Sequence, residues 1–257
     1  MIIKRLEFYL IKHDERSENK VDLHVESFMQ QLQELGNEQT KRTYLRHGAR
    51  EPLYGITTGA LKPLAKQIKR NYELSMELYA TGNYDAMYFA GMIAHPIKMT
   101  EDDFEEWMQA AYCHGLSDYV VAITLSESSM AQAIADKWIK SDKELYVSAG
   151  WSCYASLLGH KSDDHFNIKK IQTYLKEIEQ TIHLQPNRVR YAMNNFVIAV
   201  GISYVPLHQE ALQVAKNIGS VSFNPGQTNC KIPLATSYIQ KAIDNNRIGF
   251  KRKKVRC

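Results

Sequence analysis

Apolar residues recur every three or four positions through most of this chain, which is the spacing of amphipathic helices. The strongest case is the stretch from Pro186 to Tyr204, where Pro186 and Asn187 provide a helix start and Val205-Pro206 a stop. The buried stripe predicted by this spacing consists of Val189, Met193, Phe196, Val197 and Val200. Room for a neighbouring helix is left by three small residues, Ala192, Ala199 and Gly201.

The same pattern predicts helices along the rest of the chain. They are expected near 21–35, 38–46, 73–81, 84–95, 101–114, 117–127, 129–140, 143–159, 165–182, 187–203, 206–218 and 233–244, with one more capped by Thr57 or Thr58. Helices that begin near residues 84, 117, 145 and 187 are rich in small residues and recur at intervals of roughly 30 to 40 residues. This period predicts an all-α fold, a curved α-α solenoid of HEAT-like helical repeats. An irregular helical bundle is the alternative.

The pattern divides the chain into three parts: a lead-in segment at 1–20, a single HEAT-like repeat domain at 21–250 and a basic tail at 251–257. One segment of the domain, near 221–232, interrupts the helical spacing. Its centre, Asn224-Pro-Gly-Gln227, is typical of a type II turn, and β-branched residues lie on both sides. A short β-hairpin and a plain loop between helices are both open for this segment.

Composition narrows the classes of function. The chain is 44% hydrophobic and 23% charged, as in ordinary soluble domains, and no apolar run reaches the roughly 18 residues of a membrane span. Its four cysteines lie far apart, which indicates reduced thiols and a cytoplasmic protein. The histidines and cysteines lack the spacing of a zinc site, so we expect no metal and no cofactor.

Positive charge is concentrated at the end of the chain. The last seven residues carry five basic side chains and no acidic one, and removing these charges from the net charge of +4 leaves −1 for the rest. Such a tail neutralises phosphates by counterion release, although a merely solvated end is equally open. The helix at 187–203 adds a basic and amide-rich face, formed by Arg188, Arg190, Asn194 and Asn195. Arginines and amides are the side chains that reach phosphates and base edges.

Five blocks of the sequence carry a resemblance to a known family. They are Lys41–Gly48, Tyr54–Lys62, Lys137–Asp142, Arg190–Gly201 and Cys230–Cys257. Together they resemble the AlkD-like DNA alkylation repair family of HEAT-like repeat proteins, whose concave face tracks the DNA backbone. The resemblance spans about residues 22–257. It implies DNA as the partner, with no membrane and no small-molecule cofactor.

The chain departs from this family at its catalytic positions. Family glycosylases carry a Trp-Asp-x-x-Asp element, and the corresponding stretch here is Ser117-Asp-Tyr-Val-Val121, in which only Asp118 matches. The family's catalytic aspartate falls at Val121, its arginine at Ser148 and its later tryptophan near Asn195. A valine can neither stabilise a developing oxocarbenium ion nor orient water. The chain is therefore most similar to the AlkF/AlkG branch, whose members are thought to bind branched DNA without excising bases.

The basic positions and the resemblance together predict a DNA-binding face. Phosphates are expected to be neutralised by Arg46, Arg50, Lys62, Arg188, Arg190, Lys231, Lys251, Arg252, Lys253, Lys254 and Arg256. Hydrogen bonds or packing are expected from Tyr44, Asn194 and Asn195. The predicted function is backbone binding to distorted or branched DNA, in a protein that is associated with the nucleoid when bound.

Two other classes of function remain open at this point. The first is an alkylpurine DNA glycosylase with a relocated active site around Asp118 and Tyr119. The second is a protein-interaction scaffold, which is the commonest use of helical solenoids. An apolar or acidic concave face would favour the scaffold, and release of methylated bases would favour the glycosylase.

Overall fold

The structure, a computed structural model, describes residues 19–228 and 231–255. Its α-helices are α1 (Asn19–Glu34), α2 (Glu38–Arg46), α3 (Thr58–Ile68), α4 (Tyr72–Ala80), α5 (Tyr84–Ile93), α6 (Glu101–Ala110), α7 (His114–Leu116), α8 (Ala122–Leu125), α9 (Ala131–Ile139), α10 (Glu144–Leu158), α11 (Ile168–Thr181), α12 (Asn187–Ser203), α13 (His208–Ile218) and α14 (Ala235–Asp244). A π-helical segment, Ser117–Val121, joins α7 to α8, and short 3-10 turns lie at Asp163–His165, Ile182–Leu184 and Val205–Leu207. Within the described ranges no helix is long and apolar enough to cross a membrane.

The predicted all-α solenoid is confirmed. The bounds of α2 and α12 are those expected from the sequence, and most other helices begin within three residues of their predicted starts. The predicted lead-in at 1–20 lies outside the described residues except for Asn19 and Lys20, which begin α1. The division into a single domain and a tail stays a prediction.

Local capping bonds explain where many of the helices begin. The Thr100 hydroxyl accepts a bond from the Asp103 amide, and the Asp103 carboxylate accepts one from the Thr100 amide, so the two residues form a capping box. Thr57 caps α3 as expected. The N-cap of α11 is not Ser162, whose hydroxyl bonds to Asp164. The cap of that helix is Asn167.

Close approach between helices depends on glycines at two contacts. A Cβ added at Gly201 would lie 2.5 Å from a methyl carbon of Ile239, so the absence of a side chain lets α14 pack directly on α12. Gly201, one of the small residues expected to leave room for a neighbouring helix, does so here. Gly150 allows the same approach of α9 to α10, where an added Cβ would lie 2.8 Å from Ile139. The three tryptophans, Trp107, Trp138 and Trp151, are buried in the core.

The segment near 221–232 is a loop in the part that the structure describes. Residues 221–228 and 231–234 contain a turn and no strand, and residues 229–230 lie outside the description. Asn187 at the start of α12 holds the loop, since its amide donates to the carbonyl oxygen of Asn224 and its own carbonyl accepts from the Asn224 amide, each at 2.8 Å. The loop alternative therefore describes these residues, and the hairpin does not.

Candidate nucleic-acid interface

The main-chain amides of the glycine-containing loop before α3 bind a carboxylate side chain of the protein itself. The buried carboxylate of Asp85 accepts hydrogen bonds from the amides of Tyr54, Gly55 and Ile56, at 2.6, 2.9 and 2.8 Å. Gly55 has a φ of +79°, which favours glycine. The Ile56 carbonyl oxygen then accepts a 2.7 Å bond from the Tyr44 hydroxyl. Tyr44, an expected DNA contact, is thereby held in place from within the protein.

Beyond α2, an arginine lies over an aromatic ring. The Arg50 guanidinium is 5.3 Å from the centroid of the Tyr112 ring, and the Tyr112 hydroxyl donates to the Arg50 carbonyl oxygen at 3.3 Å. Arg50 is exposed and Tyr112 partly buried. A guanidinium held against a ring keeps its N–H groups at the edge, where they can meet a phosphate.

A buried carboxylate lies inside the π-helical segment. Asp118 is 6% exposed, and its oxygens accept bonds from Ser117 at 2.8 Å and Ser148 at 2.7 Å. Burial raises the pKa of Asp118 to about 6, and the bonds from the two serines oppose that rise. Single π-helical turns are frequent at functional sites. Here the carboxyl group of Asp118 is enclosed within the protein.

Two other family positions are closed as well. Val121, at the place of the catalytic aspartate, is fully buried in the core. Ser148, at the position of the family's arginine, donates its hydroxyl hydrogen to Asp118. Neither position presents a charged group to a ligand.

The start of α12 brings the next arginine to an aromatic ring. The Arg188 amide donates to Glu144 at 2.7 Å, and its guanidinium lies 5.0 Å from the centroid of the Phe223 ring. Tyr191, one turn further along α12, has its ring 5.2 Å from that of Phe223. The loop after α13 therefore completes a surface that begins on α12.

Tyr119 and His114 connect this surface to the π-helical segment. Tyr119 is 47% exposed, its hydroxyl is hydrogen-bonded with Tyr191, and burial of that hydroxyl raises its pKa. The His114 ring lies 6.4 Å from the Tyr119 ring in an edge contact. Burial, with smaller contributions from Arg188 and His47, lowers the pKa of His114 to about 4, so this imidazole is neutral at pH 7. We call the connected surface the aromatic-basic face: Arg50, Tyr112, His114, Tyr119, Arg188, Tyr191 and Phe223.

Two of the predicted phosphate-binding residues, Arg50 and Arg188, thus lie on this face. Arg190 and Asn195 are partly buried on α12, and the Arg190 Nε is buried without a hydrogen-bond partner among the described residues. The other predicted cations that are exposed to solvent are Arg46, Lys62, Lys231, Lys253 and Lys254. Arg256 lies outside the described residues.

Three predicted DNA contacts are engaged inside the protein. Asn194 is fully buried, and its amide donates to the Pro233 carbonyl oxygen at 2.9 Å, which ties the segment before α14 to α12. The Lys251 ammonium pairs with Asp163 at 2.8 Å and donates to a main-chain carbonyl of α10. The Arg252 amide donates to the Gly159 carbonyl oxygen at 2.8 Å. These contacts hold the fold together, because each joins one of these residues to another segment of the protein.

Sequence reasoning did not select the aromatic members of the face for DNA binding. Tyr191 stood inside a recognised block, next to Arg190, and Phe223 is an aromatic residue beside a polar turn. Both signals were visible, but only the fold places Tyr112 against Arg50 and His114 against Tyr119. Aromatic residues interleaved with arginines on a helical-repeat scaffold define a class of nucleic-acid-binding candidate, and this protein has that arrangement.

Comparisons with known proteins agree with this class. The model of a family described as DNA alkylation repair enzyme matches residues 28–229, and the chain belongs to this family. A solved structure with a TM-score of 0.85 is 54% identical, and the match covers 91% of this chain and 99% of that one. It is described as a new family of proteins related to the HEAT-like repeat DNA glycosylases with affinity for branched DNA structures.

Two curated relatives are similar over most of their length. An uncharacterized protein of Listeria innocua is 34% identical over 225 residues, which is 85% of this chain and 96% of the relative. An uncharacterized protein of Listeria monocytogenes is 34% identical over 218 residues, with coverage of 82% and 94%. The AlkD-like resemblance is thereby confirmed.

Proposed function

We propose that this protein binds branched or distorted DNA through the sugar–phosphate backbone and does not excise bases. The proposal is supported by the structural relative, which is 54% identical and is described as having affinity for branched DNA. The observation that carries it is the aromatic-basic face, where Arg50 and Arg188 each lie against an aromatic ring. Binding of this kind uses charge and shape, and it needs no base-specific pocket.

The other predicted cations extend the phosphate contacts. They are the exposed Arg46, Lys62, Lys231, Lys253 and Lys254 and the partly buried Arg190, with Arg256 beyond the described residues. Each neutralised phosphate adds about 0.9 to the slope of log affinity against log salt on duplex DNA. A protein that uses several of these side chains therefore loses affinity steeply as salt increases.

The absence of base excision follows from the closed catalytic positions. Val121 is buried and carries no acid, and the carboxylate of Asp118 is occupied by two serine hydroxyls. Expulsion of an alkylated base needs charge stabilisation at the sugar, and neither residue supplies it from these positions. We therefore place the protein in the non-glycosylase, AlkF/AlkG-type branch.

A gel-shift panel tests the binding. Duplex, nicked, forked and four-way DNA are titrated at several salt concentrations. We expect the forked and four-way forms to bind more tightly than duplex, with a steep salt dependence. Equal affinity for all four, or a flat salt dependence, contradicts the proposal and favours the scaffold alternative.

One observation favours the glycosylase alternative, since a pKa of about 6 suits Asp118 to acid–base chemistry near neutral pH. Incubation with methylated DNA, followed by detection of released bases, tests it directly. We expect no release. Release that is abolished by Asp118→Asn would replace our proposal with the enzymatic one.

A further inference from the structure

From the arrangement of Tyr119, Tyr191, Phe223 and Arg188 we propose a stacking site for an unpaired nucleobase at the branch point of DNA. The ring of Tyr119 takes the base, and Arg188 takes the adjacent phosphate. This inference rests on the proposed function, because it specifies which part of a branched DNA the aromatic-basic face recognises.

Tyr119 is an aromatic residue that is open to solvent. It is 47% exposed, while its hydroxyl interacts with Tyr191 and is partly desolvated. A ligand can therefore reach this residue. Every nucleobase has a π-face, and stacking of one base on an aromatic side chain contributes about 1–3 kcal/mol.

The neighbouring groups hold this ring in position before any ligand arrives. Tyr191 bonds to the Tyr119 hydroxyl and packs against Phe223, with 5.2 Å between the ring centroids. The loop that carries Phe223 is fixed by the paired bonds between Asn187 and Asn224. Little conformational entropy remains to be lost on binding, because the platform is already formed.

Charge at the site favours a nucleotide over a bare aromatic ligand. The Arg188 guanidinium lies 5.0 Å from the Phe223 ring, next to the platform. The nearest buried carboxyl, Asp118, is screened by the hydroxyls of Ser117 and Ser148. A nucleotide supplies both a ring for Tyr119 and a phosphate for Arg188. Paired duplex offers only the phosphate, because its base faces are stacked, whereas an open branch point offers both.

The test uses 2-aminopurine, a fluorescent base that is quenched when it stacks on an aromatic ring. It is placed unpaired at the centre of a three-way junction and, for comparison, within a paired arm. We expect binding to quench the unpaired probe and leave the paired probe unchanged. Tyr119→Leu keeps apolar volume without the ring. It should abolish the quench and weaken junction binding by about tenfold, while duplex affinity stays within about twofold.

Two further variants make the result specific. Tyr119→Phe retains the ring but loses the bond to Tyr191, and it should keep the quench. Tyr238→Leu removes another exposed tyrosine, on α14, that is not part of the platform, and it should behave as wild type. Circular dichroism and thermal melting establish that each variant is folded.

Four outcomes contradict the inference. A quench that survives in Tyr119→Leu shows that the base stacks elsewhere. An equal loss of affinity for junction and duplex shows that Tyr119 acts on DNA in general. Junction binding by the wild type without any quench overturns the stacking site and leaves the proposed function standing. Absence of binding to every DNA in the panel overturns both.

Discussion

The hydroxyl of Ser148 donates a 2.7 Å hydrogen bond to the buried carboxylate of Asp118, and so joins α10 to the π-helical segment. The same hydroxyl lies 3.4 Å from the carbonyl oxygen of Arg188 at the start of α12. A small polar side chain thus connects three elements at the point where family glycosylases have a charged site. The stability of the aromatic-basic face depends on this connection.

Ser148→Ala removes one of the two serine donors to Asp118. We expect the free energy of unfolding at pH 7 to fall by about 1–3 kcal/mol, because a buried ionised carboxylate loses a hydrogen bond. The loss should be smaller at pH 5, below the pKa of about 6, where the carboxyl is mostly protonated. Urea denaturation at both pH values measures this difference.

The matched control is Ser156→Ala. Ser156 is also buried, but its hydroxyl bonds to another hydroxyl, that of Ser126, at 2.9 Å. Its removal should cost the same at pH 5 and pH 7. Equal pH dependence in the two alanine variants would show that the Ser148 bond is not made to an ionised group.

Asp118 and His114 oppose each other in the pH dependence of stability. The pKa of Asp118 is raised from 3.8 to about 6, so its stabilising contribution is complete below pH 3.8 and is lost as pH rises through 6. The pKa of His114 is lowered from 6.5 to about 4, so its contribution is complete above pH 6.5 and is lost as pH falls through 4. In the wild type, the contributions of these two groups should therefore largely cancel between these limits.

Single substitutions should reveal the separate contributions of Asp118 and His114 to the pH dependence of stability. In Asp118→Asn, stability should rise more steeply with pH between 4 and 6.5 than in the wild type, because the lowered pKa of His114 is no longer opposed by Asp118. In His114→Gln it should fall with pH, by an amount on the order of 3 kcal/mol. Denaturant titrations at half-unit pH steps measure both slopes. Parallel profiles in wild type and both variants would refute the assignment.

Arg188→Gln tests the phosphate contact at the start of α12. Loss of one neutralised phosphate should reduce the salt slope by about 0.9 and weaken binding by about fivefold at 0.15 M salt. Lys216→Gln is the control, because Lys216 is exposed on α13 and is not among the proposed contacts. Fluorescence anisotropy with a four-way junction measures both. An equal effect of the two substitutions would mean that only net charge matters.

Glu144→Gln should strengthen DNA binding. The Glu144 carboxylate accepts a bond from the Arg188 amide and places a negative charge beside the face. Its neutralisation should raise affinity about two- to fivefold at low salt, and the gain should shrink at high salt as charges are screened. Anisotropy at 50 and 300 mM salt compares the two conditions. Weaker binding by this variant would indicate that Glu144 positions Arg188 and that its charge is unimportant.

Two parts of the basic tail, Lys251 and the pair Lys253 and Lys254, should have different functions. Lys251→Gln breaks the ion pair with Asp163, so it should lower the melting temperature. Lys253→Gln with Lys254→Gln should leave melting unchanged and weaken DNA binding, since both side chains are exposed. Thermal melting and anisotropy on the same samples test this. Loss of stability in the double variant would show that the whole tail is structural.

Elements with local signals were predictable from the sequence. The bounds of α12 follow from Pro186 and Asn187 before it and Val205-Pro206 after it, and the capping box at Thr100 is a local pattern. The π-helical segment was not predictable, because 117–127 has regular helical spacing. Asp118 in this segment accepts one bond from Ser117 beside it and one from Ser148 on a separate helix, and the second contact is not visible in the local sequence.

The same distinction explains the candidate site. Arg50 and Arg188 were selected by residue type, and the fold places both on the aromatic-basic face. Lys251 has the same chemistry, but it meets Asp163 in the folded chain and has a protein partner there. Residue type identifies cations that can bind phosphate, whereas only tertiary contacts determine which of them are already paired.

The Asp85 carboxylate, held by three consecutive amides, limits how the molecule can meet a curved ligand. The carboxylate connects the loop after α2 to α5. A movement of this loop relative to α5 would break three charge-assisted bonds together. At about 1.5–3 kcal/mol for each bond, thermal motion will seldom open this joint. The edge that carries Tyr44 is therefore rigid, and a partner that binds to it has to bend to fit.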